Sequence, residues 1–184
     1  MIEARNLSIG YGSKVVYSNL DFTVEKGSCV LLEGRNGSGK STLLRTIAGM
    51  QKPVSGTLKC GKVSMVPSRV PKVKGFTTKQ FIGLSDGSPD NIAQAMEMLG
   101  IESLASRDIS TLSDGEFQKA CIAAALSRQS EVLLLDEPTA FLDAESRISV
   151  LSLLKDISRK GIAVLFSSHD LYDARAICDK SIRL

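Results

Sequence analysis

Hydrophobic positions along this chain change period several times, and the changes mark its elements. Between residues 2 and 33 short runs alternate with polar residues: IEARNLSI, VVYS, LDFTV and CVLLE, with turns at Gly10 to Ser13 and at Lys26-Gly27. Period-two patterning predicts strands, here an antiparallel flap leading into the continuous apolar run CVLLE. LLRTIAGM belongs to a predicted helix from Lys40 to Gly49, KPVSG to a turn, and TLKC and KVSMV to two more strands. Residues 67 to 76, with Pro67, Pro71 and Gly75, read as a loop.

From there the period becomes helical. Thr77 and Gln80 spell a capping box, and Ser88-Pro89 opens a helix whose Ile92, Ala95, Met96 and Leu99 share a face before Gly100 closes it. Glu116 to Arg128 is a further predicted helix. EVLLLD is an unbroken apolar strand of the kind buried in a parallel sheet. Ala144 to Lys160 predicts a helix with Ile148, Leu151, Leu154 and Ile157 on one face, stopped by Gly161. IAVLFSS, Asp170 to Cys178 and KSIRL follow as strand, helix and strand. Strands alternating with helices imply α/β layering. With no internal repeat and no long linker, the expectation is one domain over residues 1–184, with a helical insert at about 69–115.

Composition narrows the class. A chain of 184 residues, 43% hydrophobic and 23% charged, is long enough for one sizeable core and is not disordered. The formal net charge is +3, and the one mild basic cluster is Lys62, Arg69, Lys72, Lys74 and Lys79. Nucleic acid, anionic lipid or plain solvent all suit such a cluster. Cys29, Cys60, Cys121 and Cys178 have no C-x-x-C spacing, which argues against zinc and a disulfide framework and for a reducing, cytosolic setting. Glu3 and Arg5 interrupt the N-terminus where a signal peptide needs an apolar run, and no segment is apolar for the ~18 residues of a membrane span. Neither export nor membrane insertion is expected.

The chemistry begins at Gly34 to Thr42, GRNGSGKST, which fits G-x-x-x-x-G-K-[ST]. Gly34, Gly37 and Gly39 are expected to let successive amides turn inward around a phosphate, flanked by Arg35, Asn36 and Ser38. Lys40 reaches the outer phosphates, the Ser41 hydroxyl is placed for Mg²⁺, and Thr42 follows in a helix whose positive dipole end faces the anion. VLLLDE then puts Asp136 and Glu137 at the carboxyl end of a buried strand. Asp136 is the candidate to hold Mg²⁺ through water, and Glu137 to accept a proton from water attacking a γ-phosphate. These parts define the expected fold class: α/β, a P-loop NTPase core of mostly parallel sheet flanked by helices, with an N-terminal antiparallel β subdomain and a small helical insert.

Leu112 to Glu116, LSDGE, admits two readings. Ser113-x-x-Glu116 is a capping box, and the same helix N-terminus is an anion site. His169, the only histidine, is by itself as compatible with structure as with catalysis.

Taken in order, Tyr11, GRNGSGKST, LSDGE, LLLDEP, Ala140-Phe141-Leu142-Asp143 and His169 resemble the ATP-binding-cassette (ABC) ATPases over nearly the whole chain. The resemblance implies an ATP- and Mg²⁺-dependent ATPase coupled to transport, in which Tyr11 stacks on adenine and His169 hydrogen-bonds the γ-phosphate and the attacking water. It further implies a homodimer, or a pair with a second ABC ATPase, in which Leu112, Ser113, Asp114, Gly115 and Glu116 meet ATP bound to the other subunit and Asp143 sits at the interface. The helical insert would dock on an integral-membrane permease, placing the chain at the cytoplasmic face of the membrane. A substrate-binding protein would join an importer, and no nucleic acid is expected.

Three departures stand out. Ser68 occupies the place of the usual metal-sensing glutamine, and is shorter. Asp114 and Glu116 stand where Gly and Gln are usual, and a carboxylate near phosphate is unfavourable unless it points away or finds a cation. The chain also ends at Leu184, earlier than most relatives. LSDGE-F-QK, LLLDEPTAFLD and the short insert look similar to importers of iron siderophores, haem or cobalamin; the compact stretch from Gly56 to Ser68 resembles zinc and manganese importers. A small exporter, a cassette acting on nucleic acid and a weakly hydrolysing regulatory module are the other readings.

Overall fold

In the computed structural model, which describes residues 1–184, the strands sort into two sheets. In chain order the elements are β1 (Ile2–Tyr11), β2 (Lys14–Val24), β3 (Cys29–Glu33), α1 (Lys40–Ile47), β4 (Ser55–Cys60), β5 (Val63–Val66), α2 (Thr78–Gly83) and α3 (Pro89–Met98). After two single-turn 3-10 stretches come α4 (Asp114–Leu126), β6 (Val132–Leu135), α5 (Ala144–Arg159), β7 (Ala163–Ser167), α6 (Leu171–Ile177) and β8 (Lys180–Arg183). The antiparallel sheet runs β2-β1-β4; the other runs β5-β6-β7-β3-β8 with every ladder parallel. This is the expected α/β core with its separate antiparallel flap.

The central strands are apolar throughout because both of their faces are covered. Cys29, Leu31, Leu133, Leu135, Val164 and Phe166 face a cluster shared with α2, α3, α4 and α5. The alternate residues Val30, Leu32, Val132, Leu134, Ala163 and Leu165 face a second cluster with α1 and the flap, including Leu43, Leu44, Ile47, Ile2 and Ile9. The period of two thus splits one sheet between two cores. No helix is long and apolar enough to cross a membrane, and all four cysteines are free.

Local chemistry sets the element ends as expected. Thr77 and Gln80 form a capping box on α2, and Ser113 and Glu116 another on α4. Ser88 caps α3 with Pro89 at its first position, and Gly100 takes φ +63° just beyond it.

TLKC and KVSMV are strands as expected, in different sheets: β4 closes the antiparallel flap and β5 forms the edge of the parallel sheet. Two expectations need correction. VVYS and LDFTV, read as separate strands, are one strand, β2, with register shifts against β1. On α5 the buried face is Val150, Leu151, Leu154 and Ile157, while Ile148 is exposed. A spacing of three residues falls short of a turn, so the row 148, 151, 154, 157 drifts round the helix by roughly 60° per step. It leaves the core at its first member.

Candidate nucleotide site

The phosphate loop, Asp136-Glu137 and His169 all follow carboxyl ends of parallel strands, β3, β6 and β7, where ligands bind in open α/β sheets. They surround a cleft of about 500 Å³ lined by Tyr11, Val16, Asn36, Gly37, Gly39, Lys40, Ser41, Thr42, Glu137 and His169.

The loop is built by two different uses of glycine. Gly37 and Gly39 have φ of +78° and +108°, a region side chains rarely enter. Gly34 has ordinary φ and is required for space, since a Cβ there would lie 2.3 Å from Ser38 Oγ. The expectation that all three glycines supply unusual angles is therefore right for two of them. Lys40 is buried at the start of α1, and its Nζ donates to Gly34 O at 2.8 Å and Arg35 O at 3.3 Å, which aims the ammonium along the loop. Tyr11 sends its hydroxyl to Thr42 Oγ1, 3.1 Å away, leaving the ring half exposed on the cleft wall.

On the opposite wall, Glu137 Oε1 lies 2.6 Å from His169 Nε2. Glu137 takes φ +53°, a strained backbone that recurs at functional sites. Ser167, fully buried on β7, pins it: Ser167 Oγ accepts from Glu137 N at 2.9 Å and donates to Asp136 Oδ1 at 2.9 Å. Asp136 is buried behind Glu137 and its amide donates to Val66 O, extending the β5–β6 ladder. A hydroxyl at Ser41 and a buried carboxylate at Asp136 are hard oxygen donors that suit Mg²⁺.

Beneath the loop, the buried carboxylate of Glu33 accepts from Arg175 Nε at 2.9 Å and Nη2 at 2.6 Å, with Arg183 3.5 Å away. The Arg175 hydrogen bonds hold its pKa at about 2, well below the usual range. This anchors the end of β3 to α6 and β8.

The structure does not bring Leu112–Glu116, Asp143 or Ser68 into this cleft. Ser113 caps α4, while Glu116 accepts from Ser113 N at 2.8 Å and pairs with Arg107, contacts that lower its pKa, the Ser113 amide foremost. Gly115 packs so closely on α5 that a Cβ would lie 2.7 Å from Ser146 Oγ. Asp143 caps α5 by accepting from Ser146 N at 2.8 Å, and that bond lowers its pKa. Asp114 has found its cation, with Lys72 Nζ 2.7 Å from its Oδ1. Ser68 lies in a second cavity, of about 610 Å³, among Arg69, Lys72, Asp114, Phe117 and Phe141.

Sequence reasoning missed Ser167 and Lys72. Ser167 is visible only as a polar residue in the apolar run IAVLFSS; Lys72 shows only as one member of the basic cluster, with nothing to pair it with Asp114.

Strand, glycine-rich loop and helix, with a carboxylate pair on a neighbouring parallel strand, define a P-loop nucleotide-binding protein. The comparisons make the class specific: residues 17–140 match the ABC transporter family, and the chain belongs to that family as an ATP-binding ATPase subunit. It is 34% identical to the achromobactin transport ATP-binding protein CbrD of Dickeya dadantii (strain 3937), over 92% of this chain and 73% of that protein. It is 36% identical to the zinc import ATP-binding protein ZnuC of Jannaschia sp. (strain CCS1), over 100% of this chain and 79% of that one. Among solved structures, an inward-facing metal-chelate type ABC transporter superposes with a TM-score of 0.90 at 28% identity, covering 100% of this chain and 79% of that one.

Proposed function

We propose that the chain is a single-domain cassette that hydrolyses ATP between two copies of itself, or with a second ABC ATPase, to drive a membrane permease from its cytoplasmic face. The observation that carries this reading is the meeting of Glu137, His169 and Lys40 across one cleft. Tyr11 offers its exposed ring to the adenine. The loop amides and Lys40 take the phosphates. Ser41, and Asp136 through water, would hold Mg²⁺, which neutralises phosphate charge when bound; Ser68 lines the neighbouring cavity. Glu137 accepts a proton from water as its oxygen attacks the γ-phosphorus, the bond to the β–γ bridging oxygen breaks, and ADP and phosphate leave. His169 orients that water and the γ-phosphate.

The cleft is open to solvent, and Leu112–Glu116 and Asp143 lie outside it. A second copy supplies them in trans. The test is Glu137→Gln: it binds ATP, stops turnover and accumulates an ATP-dependent dimer in analytical ultracentrifugation. Normal turnover in this variant removes Glu137 from the mechanism.

For the cargo, we infer import of an iron-siderophore, haem or cobalamin, with a substrate-binding protein; the resemblance to CbrD supports it. Zinc import is the second reading, supported by identity to ZnuC over the full chain. A deletion strain that fails under iron restriction but not zinc restriction favours the first, and the reverse result the second.

A further inference from the structure

Asp114 is an acidic residue at the first turn of α4, between Ser113 and Gly115, in the segment proposed above to meet the other subunit's ATP. Its charge is met by one side chain. Lys72, on the loop that leaves β5, donates from Nζ to Asp114 Oδ1 at 2.7 Å and to Leu112 O at 2.8 Å, with its ammonium 5.4 Å from the centre of the Phe117 ring. Two of its three N–H groups are thereby directed at the start of α4. Its stem lies in the cavity wall with Phe117.

An ion pair with Asp114 66% exposed adds little to the stability of the fold. Its consequence is local. The main-chain contact fixes Leu112, the residue before the cap, and the charge contact cancels the carboxylate that the anion would otherwise meet. We propose that Lys72 is a positioning residue for the trans nucleotide site, holding Leu112–Asp114 in place and neutralising Asp114 so that the helix N-terminus accepts a γ-phosphate. This rests on the sandwich reading given above. It also ties the site to the sheet, because the same loop begins where Val66 O receives the Asp136 amide at 3.0 Å.

The test compares steady-state ATPase kinetics of the wild type with Lys72→Met, Lys72→Arg and Lys72→Met/Asp114→Gly, together with binding of a fluorescent ATP analogue at protein concentrations too low for dimers. Met keeps the apolar stem and loses the charge. Lys72→Met raises the KM for ATP about tenfold, as an uncompensated charge near an anion demands, with kcat within about twofold. Monomer affinity and melting temperature stay at wild-type values. Lys72→Arg keeps the wild-type KM, and removing Asp114 in the double variant brings KM back towards it. An unchanged KM in Lys72→Met, or a double variant as impaired as the single one, overturns the proposal. Wild-type specific activity is expected to rise with protein concentration. A flat dependence removes the sandwich and this inference with it, whereas a rising dependence with Lys72→Met indistinguishable from wild type removes this inference alone.

Discussion

Nε2 of His169 and Oε1 of Glu137 lie 2.6 Å apart at the mouth of the phosphate cleft, on residues that follow neighbouring parallel strands. The contact holds the two side chains face to face, beside the place the proposed mechanism gives the attacking water. His169→Ala is expected to lower kcat by about a hundredfold or more, in the range for a lost proton-handling or orienting group. ATP affinity, measured by equilibrium titration, should change little.

Lys40 is directed by the loop carbonyls of Gly34 and Arg35. Lys40→Ala removes a charged donor to phosphate, and charged hydrogen bonds contribute about 1.5–3 kcal/mol each. Titration with a fluorescent nucleotide should show ATP binding weakened by about tenfold to a hundredfold. Unchanged binding sinks the phosphate-loop assignment.

Glu33 gives the fold an acid limit. Its carboxyl titrates at about 2 in the folded chain against 4.5 ordinarily, so its contribution is complete above pH 4.5 and disappears as pH falls towards 2. Because Arg175 and Arg183 stand largely in solvent, that contribution is on the order of 2 kcal/mol. Glu33→Gln should lower the denaturation midpoint at pH 7 and narrow its gap from wild type at pH 3. A constant gap across that range removes the ion pair as the cause.

Asp143 has a structural task that can be separated from any role at a dimer interface. Its carboxylate caps α5 through Ser146, and losing a cap costs about 1 kcal/mol. Asp143→Ala should lower the melting temperature by about 2–4 °C, and Asp143→Ser should restore most of it. If turnover follows the melting temperature through both variants, the residue serves as a cap; if Asp143→Ser is stable yet slow, the carboxylate works at the interface.

Much of this arrangement was legible in the chain because its signals are local. Capping boxes, Gly37 and Gly39, and apolar runs such as VLLL depend on neighbours within a few residues, and the structure reproduces them. What was not legible spans distance. Ser167 meets Asp136 across 31 positions and Lys72 meets Asp114 across 42, pairings set by tertiary packing alone. The sheet that β4 or β5 joins is likewise decided by partners rather than by TLKC or VSMV. Ile148 misled for a different reason: a three-residue rhythm imitates an amphipathic stripe over one turn and loses it over four.

The parallel sheet behaves as a bulkhead between two compartments, since odd and even residues of each central strand belong to different apolar clusters. Leu43, Leu44 and Ile47 seat the phosphate loop on one side, and Met96 and Phe117 brace α3 and α4 on the other. Slack introduced on the second side must pass through hydrogen-bonded strands before it reaches the first. A cavity opened at Met96 or Phe117 should therefore loosen the packing of α3 and α4 before it disturbs that of α1.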